Sequence, residues 1–229
     1  YCLQIIKDEE RLNDEVNSLN GLFTGSIRIG ALSSMLKQFV PMIIHNFSAV
    51  YSNVDISLNE MIFTDITDSL RSGIIDIGFT SSKVPDKIKF TALFNDPVRL
   101  VIPHDHPFNA YDKVPVKLLN GCNFIMPSAG YDDVYKAISD KAEIYPNIRY
   151  YIGSDSAIAG MVANHLGISI MSEQQTRYIG NDIVCKEFVE DFHRTLGIAV
   201  NSQYHPTPAV KAFIKAAMNC SSDFFMNRI

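Results

Sequence analysis

Seven hydroxyl-bearing residues, Ser33, Ser34, Thr80, Ser81, Ser128, Ser154 and Ser172, stand where strand-like runs end and loops or helices begin. A hydroxyl there can both donate and accept, and just ahead of a helix it can take a backbone N–H of the first turn. The free N–H groups of a first turn also favour negative charge, which suits a carboxylate or another oxyanion. Singly, each is an ordinary turn or cap residue. Their recurrence at successive strand ends points to the binding of a small molecule.

Covalent chemistry finds less support. His45, His104, His106, His165, His193 and His205 sit in no nucleophile or metal-ligand motif, and prolines flank His104-x-His106 as they would a surface turn. There is no G-x-S-x-G, no Walker loop and no G-x-G-x-x-G. The expectation is therefore no catalytic residue, no metal and no cofactor. Asp76, in Ile-Asp-Ile-Gly, reads as a structural acid. Asp132, Asp133 and Asp155 fall at expected helix starts, where they either complement the helix dipole at the surface or point inward. Pointing inward, they would favour a neutral or cationic ligand. Arg28, Arg99 and Arg149 are the available counter-charges.

Composition narrows the classes further. With 229 residues, 47% hydrophobic and 20% charged, the chain can build one large domain or two small ones. A net charge of −5 gives no sign that these residues bind nucleic acid. No apolar run approaches the roughly 18–20 residues of a membrane helix. Cys2, Cys122, Cys185 and Cys220 are scattered, which fits reduced thiols in a cytoplasm.

The elements that must position the hydroxyls follow from periodicity. Cys2, Ile5, Glu9, Leu12, Val16 and Leu19 trace a narrow seam on a first helix, 1–22, which suits pairing with another helix better than packing as a terminal helix on its own domain, the alternative such a short stretch leaves open. Ile27 and Ile29 alternate in a strand that delivers the chain to Ser33 and Ser34, the expected helix cap. A wide apolar helical face runs from Leu36 to Val50, with Pro41 requiring either a kink or a later start. Strands follow at Val54–Leu58 and Ile75–Phe79, around a helix capped by Thr64 and closed by Gly73. Phe90–Phe94 and Val98–Ile102 read as two strands separated by Asp96-Pro97. A second unit repeats the logic: strand Cys122–Met126, helix Tyr131–Lys141, strand Tyr150–Gly153, a helix capped by Ser154 and stopped at Gly167, and strand Ile168–Met171. Strand Leu196–Val200 and a helix carrying Val210, Phe213, Ile214, Ala217 and Met218 close the chain. This is an α/β protein of two units joined by extended crossings, with ligand contacts at the carboxyl ends of strands.

The ordered series Gly25–Gly30, Phe47–Leu58, Leu70–Phe79, Pro103–Pro107 and Met161–Met171 resembles the effector-binding part of LysR-type transcriptional regulators. The resemblance covers almost the whole chain. It implies two Rossmann-like subdomains joined by two crossover strands, the type 2 periplasmic-binding-protein-like fold, preceded by a linker helix at 1–22 used in dimerisation. Subdomain I would comprise 25–98 and 201–229, and subdomain II 99–200, with an inducer in the cleft between them. Carried onto matching positions, the effector contacts would be Ser33, Ser34, Thr80, Ser81, Ser128, Ala129, Gly130, Tyr131 and Ser154. The same resemblance implies a cytoplasmic homodimer or homotetramer with a small-molecule effector and no membrane contact. DNA would be contacted only through a winged helix-turn-helix preceding Tyr1. A free-standing solute-binding protein of a transporter would share the fold; a secretory peptide upstream of Tyr1 would favour it, a helix-turn-helix the regulator.

Overall fold

The computed structural model describes residues 5, 9, 12, 13, 16, 24–82, 84–128, 133–177, 179–180 and 182–226. The chain divides into two compact units: unit 1 takes the described residues up to Phe94 and from Thr195 onward, and unit 2 is Asn95–Arg194. Of the first helix, Ile5, Glu9, Leu12, Asn13 and Val16 are helical. Ile5, Leu12 and Val16 are exposed, while Cys2 and Leu19 of the seam lie outside the described residues.

Unit 1 is a βαβ sheet. β1 (Gly25–Ala31) lies between β2 (Val54–Glu60) and β3 (Ile77–Ser81), parallel to both, and β10 (His193–Asn201) pairs antiparallel with β3. α1 (Ser33–Leu36) and α2 (Phe39–Val50) follow β1, α3 (Phe63–Ser72) links β2 to β3, and α7 (Pro208–Met226) ends the chain. One side of the sheet buries Phe39, Phe47, Phe79 and Phe213 as edge-on aromatic pairs, with ring centroids 5.0 Å apart for Phe47–Phe213 and 6.3 Å for Phe39–Phe79. The other side carries α3 so close that a Cβ on Gly78 would lie 2.5 Å from Ile66 Cγ2 and 3.1 Å from Leu70 Cδ1. Only glycine permits that approach.

Unit 2 holds the later part of β4 (Ile88–Pro103), antiparallel to both β8 (Ser169–Ser172) and β9 (Ile183–Phe188), with β5 (Lys113–Val114) parallel to β9. β6 (Asn123–Pro127) and β7 (Asn147–Ile152) are parallel partners. β6 also reaches β8 through a parallel bridge, in which the Ile125 amide donates to the Ile168 carbonyl at 2.9 Å. α4 (Asp133–Ala142), α5 (Asp155–Ala163) and the single turn α6 (Glu173–Thr176) complete the unit. Leu100 and Ile102 of β4 enter one apolar cluster and Val101 the other, as the two-residue period of a strand buried on both faces requires.

Several local expectations are corrected. Asp96-Pro97 does not separate two strands: β4 runs unbroken for 16 residues through it. At Pro41 the later start is the alternative that holds: α2 begins at Phe39 and leaves the proline in the first turn, where its missing N–H has no intrahelical partner to lose. Thr64 does not cap α3; Ile62 holds that position without a side-chain bond, whereas Gly73 closes the helix at φ 72° as expected. α5 ends at Ala163, four residues ahead of Gly167. β9, β5 and α6 had no expectation at all.

Candidate functional site

In unit 1 the three parallel strands end side by side. Ala31 pairs with both Glu60 and Phe79, the Leu32 amide donates to the Phe79 carbonyl at 3.1 Å, and the Met61 amide donates to the Ala31 carbonyl at 3.0 Å. Ser33 and Ser34 therefore emerge beside Thr80 and Ser81, on one edge of the sheet. Ser34 is buried, and Ser33 and Ser81 are half-buried. The expected capping role fails: Leu32 occupies the N-cap, without a side-chain bond, and α1 is a single turn of four residues. Neither serine is therefore a helix cap.

Thr80 stands apart. It is fully buried, and its Oγ1 has no hydrogen-bond partner among the described residues. It projects from the same face of β3 as Gly78, two residues nearer the carboxyl end. That is the face α3 covers. A hydroxyl left unpaired in such a place costs free energy.

In unit 2 the corresponding edge is formed by β6 and β7. The Ser128 amide donates to the Ile152 carbonyl at 2.9 Å, which sets Ser128 beside the end of β7 and the loop to Ser154. Ser154 caps α5, accepting from the Ala157 amide at 3.5 Å with its Oγ 3.0 Å from Ser156 Oγ. Ala129, Gly130, Tyr131 and Asp132 lie outside the described residues, as does the side chain of Asp133. Asp155 is half-buried, and its Oδ1 accepts from Gln175 Nε2 at 2.8 Å, so its carboxylate is engaged within unit 2.

Two of the three arginines considered as counter-charges are committed elsewhere. Arg28 grips Asp76 through Nε and Nη2, both at 3.0 Å, giving Asp76 the structural role its sequence context suggested. Arg99 pairs with Glu173 at 3.0 Å and Glu187 at 3.4 Å. Arg149 is exposed on β7.

Sequence reasoning missed a buried polar network in unit 2. Asp96 is wholly buried; its Oδ2 accepts from Arg194 Nε (3.0 Å) and Nη2 (2.9 Å), and its Oδ1 from the Gln174 amide (3.0 Å). Arg194 Nη2 also donates to Ser172 Oγ at 2.7 Å, which gives that strand-end hydroxyl an internal task. An acid beside a proline carries no signal for a partner 98 residues away.

The His104-x-His106 segment is a turn. Among the described residues no group of three or more His, Cys, Asp or Glu side chains is placed to hold a metal ion. His106 Nδ1 accepts from the Phe108 amide at 3.2 Å, capping a 3-10 turn over Pro107–Ala110. Burial lowers the His106 pKa below its ordinary 6.5, against the pull of Asp105. The unfolded chain then takes up this proton first, so the cap's contribution is complete above pH ~6.5 and is lost as pH falls toward the depressed folded value. Denaturation midpoints at pH 7.5 and 5.5 should therefore differ more for this chain than for His106→Asn, which caps without titrating.

Comparison with known proteins places this geometry. The profile of a family described as "LysR substrate binding domain" matches residues 20–219. An HTH-type transcriptional regulator of Bacillus subtilis, YvbU, itself uncharacterized, is 23% identical over 219 residues, covering 95% of this chain and 75% of the relative. Against two further regulators of that organism the chain spans 59% and 61% of their lengths. Among solved structures, the effector binding domain of QuiR in complex with shikimate superimposes with TM-score 0.78 at 22% identity, covering 87% of this chain and 98% of that one. The regulatory domain of Synechocystis PCC6803 CcmR in complex with 2-PG gives 0.80 at 19%, covering 87% and 99%. These likenesses establish the fold; the residues that meet a ligand have to be argued from this chain.

Proposed function

We propose, from the premise that this chain belongs to the LysR substrate binding domain family, that its strand-end hydroxyls hold a small polar effector and leave it chemically unchanged. In unit 1 the contacts are Ser33, Ser34, Thr80 and Ser81; in unit 2 they are Ser128, Ala129, Gly130, Tyr131 and Ser154. The observation that carries this is Thr80 Oγ1, a buried hydroxyl without a partner among the described residues, on the sheet edge that also carries Ser33, Ser34 and Ser81. Structural neighbours named for complexes with shikimate and 2-PG support a small-molecule ligand.

The rest of the expected biology is proposed on the same footing. The chain is the sensing part of a cytoplasmic DNA-binding regulator that works as a homodimer or homotetramer. DNA is read by a winged helix-turn-helix outside these residues. The exposed Ile5, Leu12 and Val16, on helical residues, fit a helix that pairs between subunits. Effector binding shifts the population of conformations because the ligand prefers one of them, and the oligomer transmits the shift. Among the described residues no helix is long and apolar enough to cross a membrane.

The test is a thermal-shift screen of this chain against a library of small polar metabolites. A ligand that binds only the folded state stabilises it by RT ln(1 + [L]/Kd) and so raises the midpoint as its concentration rises. Ser34→Ala should lower affinity for such a hit roughly three- to tenfold, the worth of one hydrogen bond. Unchanged affinity in calorimetry would remove Ser34 from the site.

A further inference from the structure

Unit 2 begins at Asn95 and ends at Arg194, so Asp96 and Arg194 mark the two places where the chain enters and leaves it. They are bonded directly to one another, with Asp96 wholly buried. From Arg194 a hydrogen-bonded path leads to the start of α5. Arg194 Nη2 donates to Ser172 Oγ at 2.7 Å; the Ser172 amide donates to Gln175 Oε1 at 2.8 Å; Gln175 Nε2 donates to Asp155 Oδ1 at 2.8 Å. Asp155 is the residue after Ser154 and lies in the first turn of the helix Ser154 caps.

We propose that Gln175 and Arg194 are positioning residues that couple the Ser154 loop to the two chain crossings through this relay. The meaning of the coupling for sensing rests on the reading of Ser154 as an effector contact; the coupling itself does not. The orientation of the Gln175 amide is fixed by its neighbours. Its oxygen meets a backbone donor and its nitrogen meets an acceptor, so a flipped amide would set donor against donor and acceptor against acceptor. Asp96 closes the far end by accepting from Arg194 and from the Gln174 amide, which also fixes the first turn of α6. A shift of Asp155 then reaches both crossings through a chain of part-buried donors and acceptors, each bond 2.7–2.8 Å long. Arg99 of β4 also pairs with Glu173 of α6 and with Glu187 of β9, which ties the three elements together.

The experiment is hydrogen exchange by mass spectrometry on the whole chain, without added ligand. Asp155→Ala should speed amide exchange at the crossings, in peptides spanning Asn95–Val98 and His193–Leu196, by about tenfold, and leave the β1–β3 peptides of unit 1 unchanged. Gln175→Met, which keeps the volume and removes both hydrogen bonds, should produce the same change, and adding Asp155→Ala to it should add nothing. A purely local role for Asp155 predicts faster exchange in α5 alone, in both backgrounds, and that result overturns the relay. So does additive behaviour of the two substitutions, because residues in one network couple whereas independent sites add. If Asp155→Ala proves too unstable, Asp155→Asn, which keeps an acceptor oxygen, should leave the crossings near their native exchange; a tenfold change with this variant also counts against the proposal. Failure of the effector reading is separate, since it shows as a screening hit whose affinity ignores Ser154→Ala while the exchange results stand.

Discussion

Arg194→Met is expected to destabilise the chain by about 3–5 kcal/mol, the usual loss when one member of a buried ion pair is removed and the other stays. Asp96 has no exposure to water, and the Arg194 side chain has only 14%. Without the guanidinium, the carboxylate keeps a single described donor, the Gln174 amide, and Ser172 Oγ keeps its capping-box bond from the Gln175 amide but loses its bond to Arg194. The partners lie at the two ends of unit 2, so the loss should appear as a lower urea midpoint for the whole transition rather than a frayed terminus. Adding Asp96→Asn should recover much of the loss, because the neutral amide still accepts from Gln174 and leaves no buried charge behind. A double variant no more stable than Arg194→Met would show that the guanidinium acts through packing and not through this pair. Midpoints of the single and double variants, compared at fixed pH and salt, decide it.

Thr80→Val should move stability and binding in opposite directions. Valine has nearly the shape of threonine but no hydroxyl to desolvate, and Oγ1 of Thr80 is buried without a partner among the described residues. Removing an unsatisfied polar atom of this kind should stabilise the empty chain by about 1 kcal/mol, or roughly 2–4 °C in Tm for a chain of this size. Once a screening hit is in hand, the same substitution should weaken its binding about tenfold, because the proposed role of Thr80 as an effector contact needs its hydroxyl. A stability rise without any loss of affinity would make Thr80 a plain packing defect. A stability loss would show that its hydroxyl is already satisfied within the fold.

What was legible beforehand was local. Ile27 and Ile29 alternate, Leu70 to Gly73 announce a helix end, and Ser154 stands one residue ahead of an apolar helical pattern; each signal fits inside one turn or one strand. The order of strands and helices follows, and with it the placing of Ser33, Thr80, Ser128 and Ser154 at strand ends, because parallel strands must all finish on the same edge. Expected caps fared unevenly for the same reason. Ser154 caps α5, but Ser33 and Thr64 lie inside helices whose N-caps are Leu32 and Ile62, since tertiary packing of the preceding strand sets where the first turn begins.

The amino-acid sequence by itself determined the family, the alternation of elements and the edge on which the hydroxyls gather, all of them properties of short stretches read by period and turn chemistry. Only the tertiary structure decided which of those hydroxyls are already spent, as Ser172 is on Arg194, and which stand unpartnered among the described residues, as Thr80 does. It also decided that Asp96, which looked like a strand break, is a buried charge matched across 98 residues. The physical reason is that burial and partner choice belong to pairs of residues brought together by folding, and neither side chain carries the identity of the other.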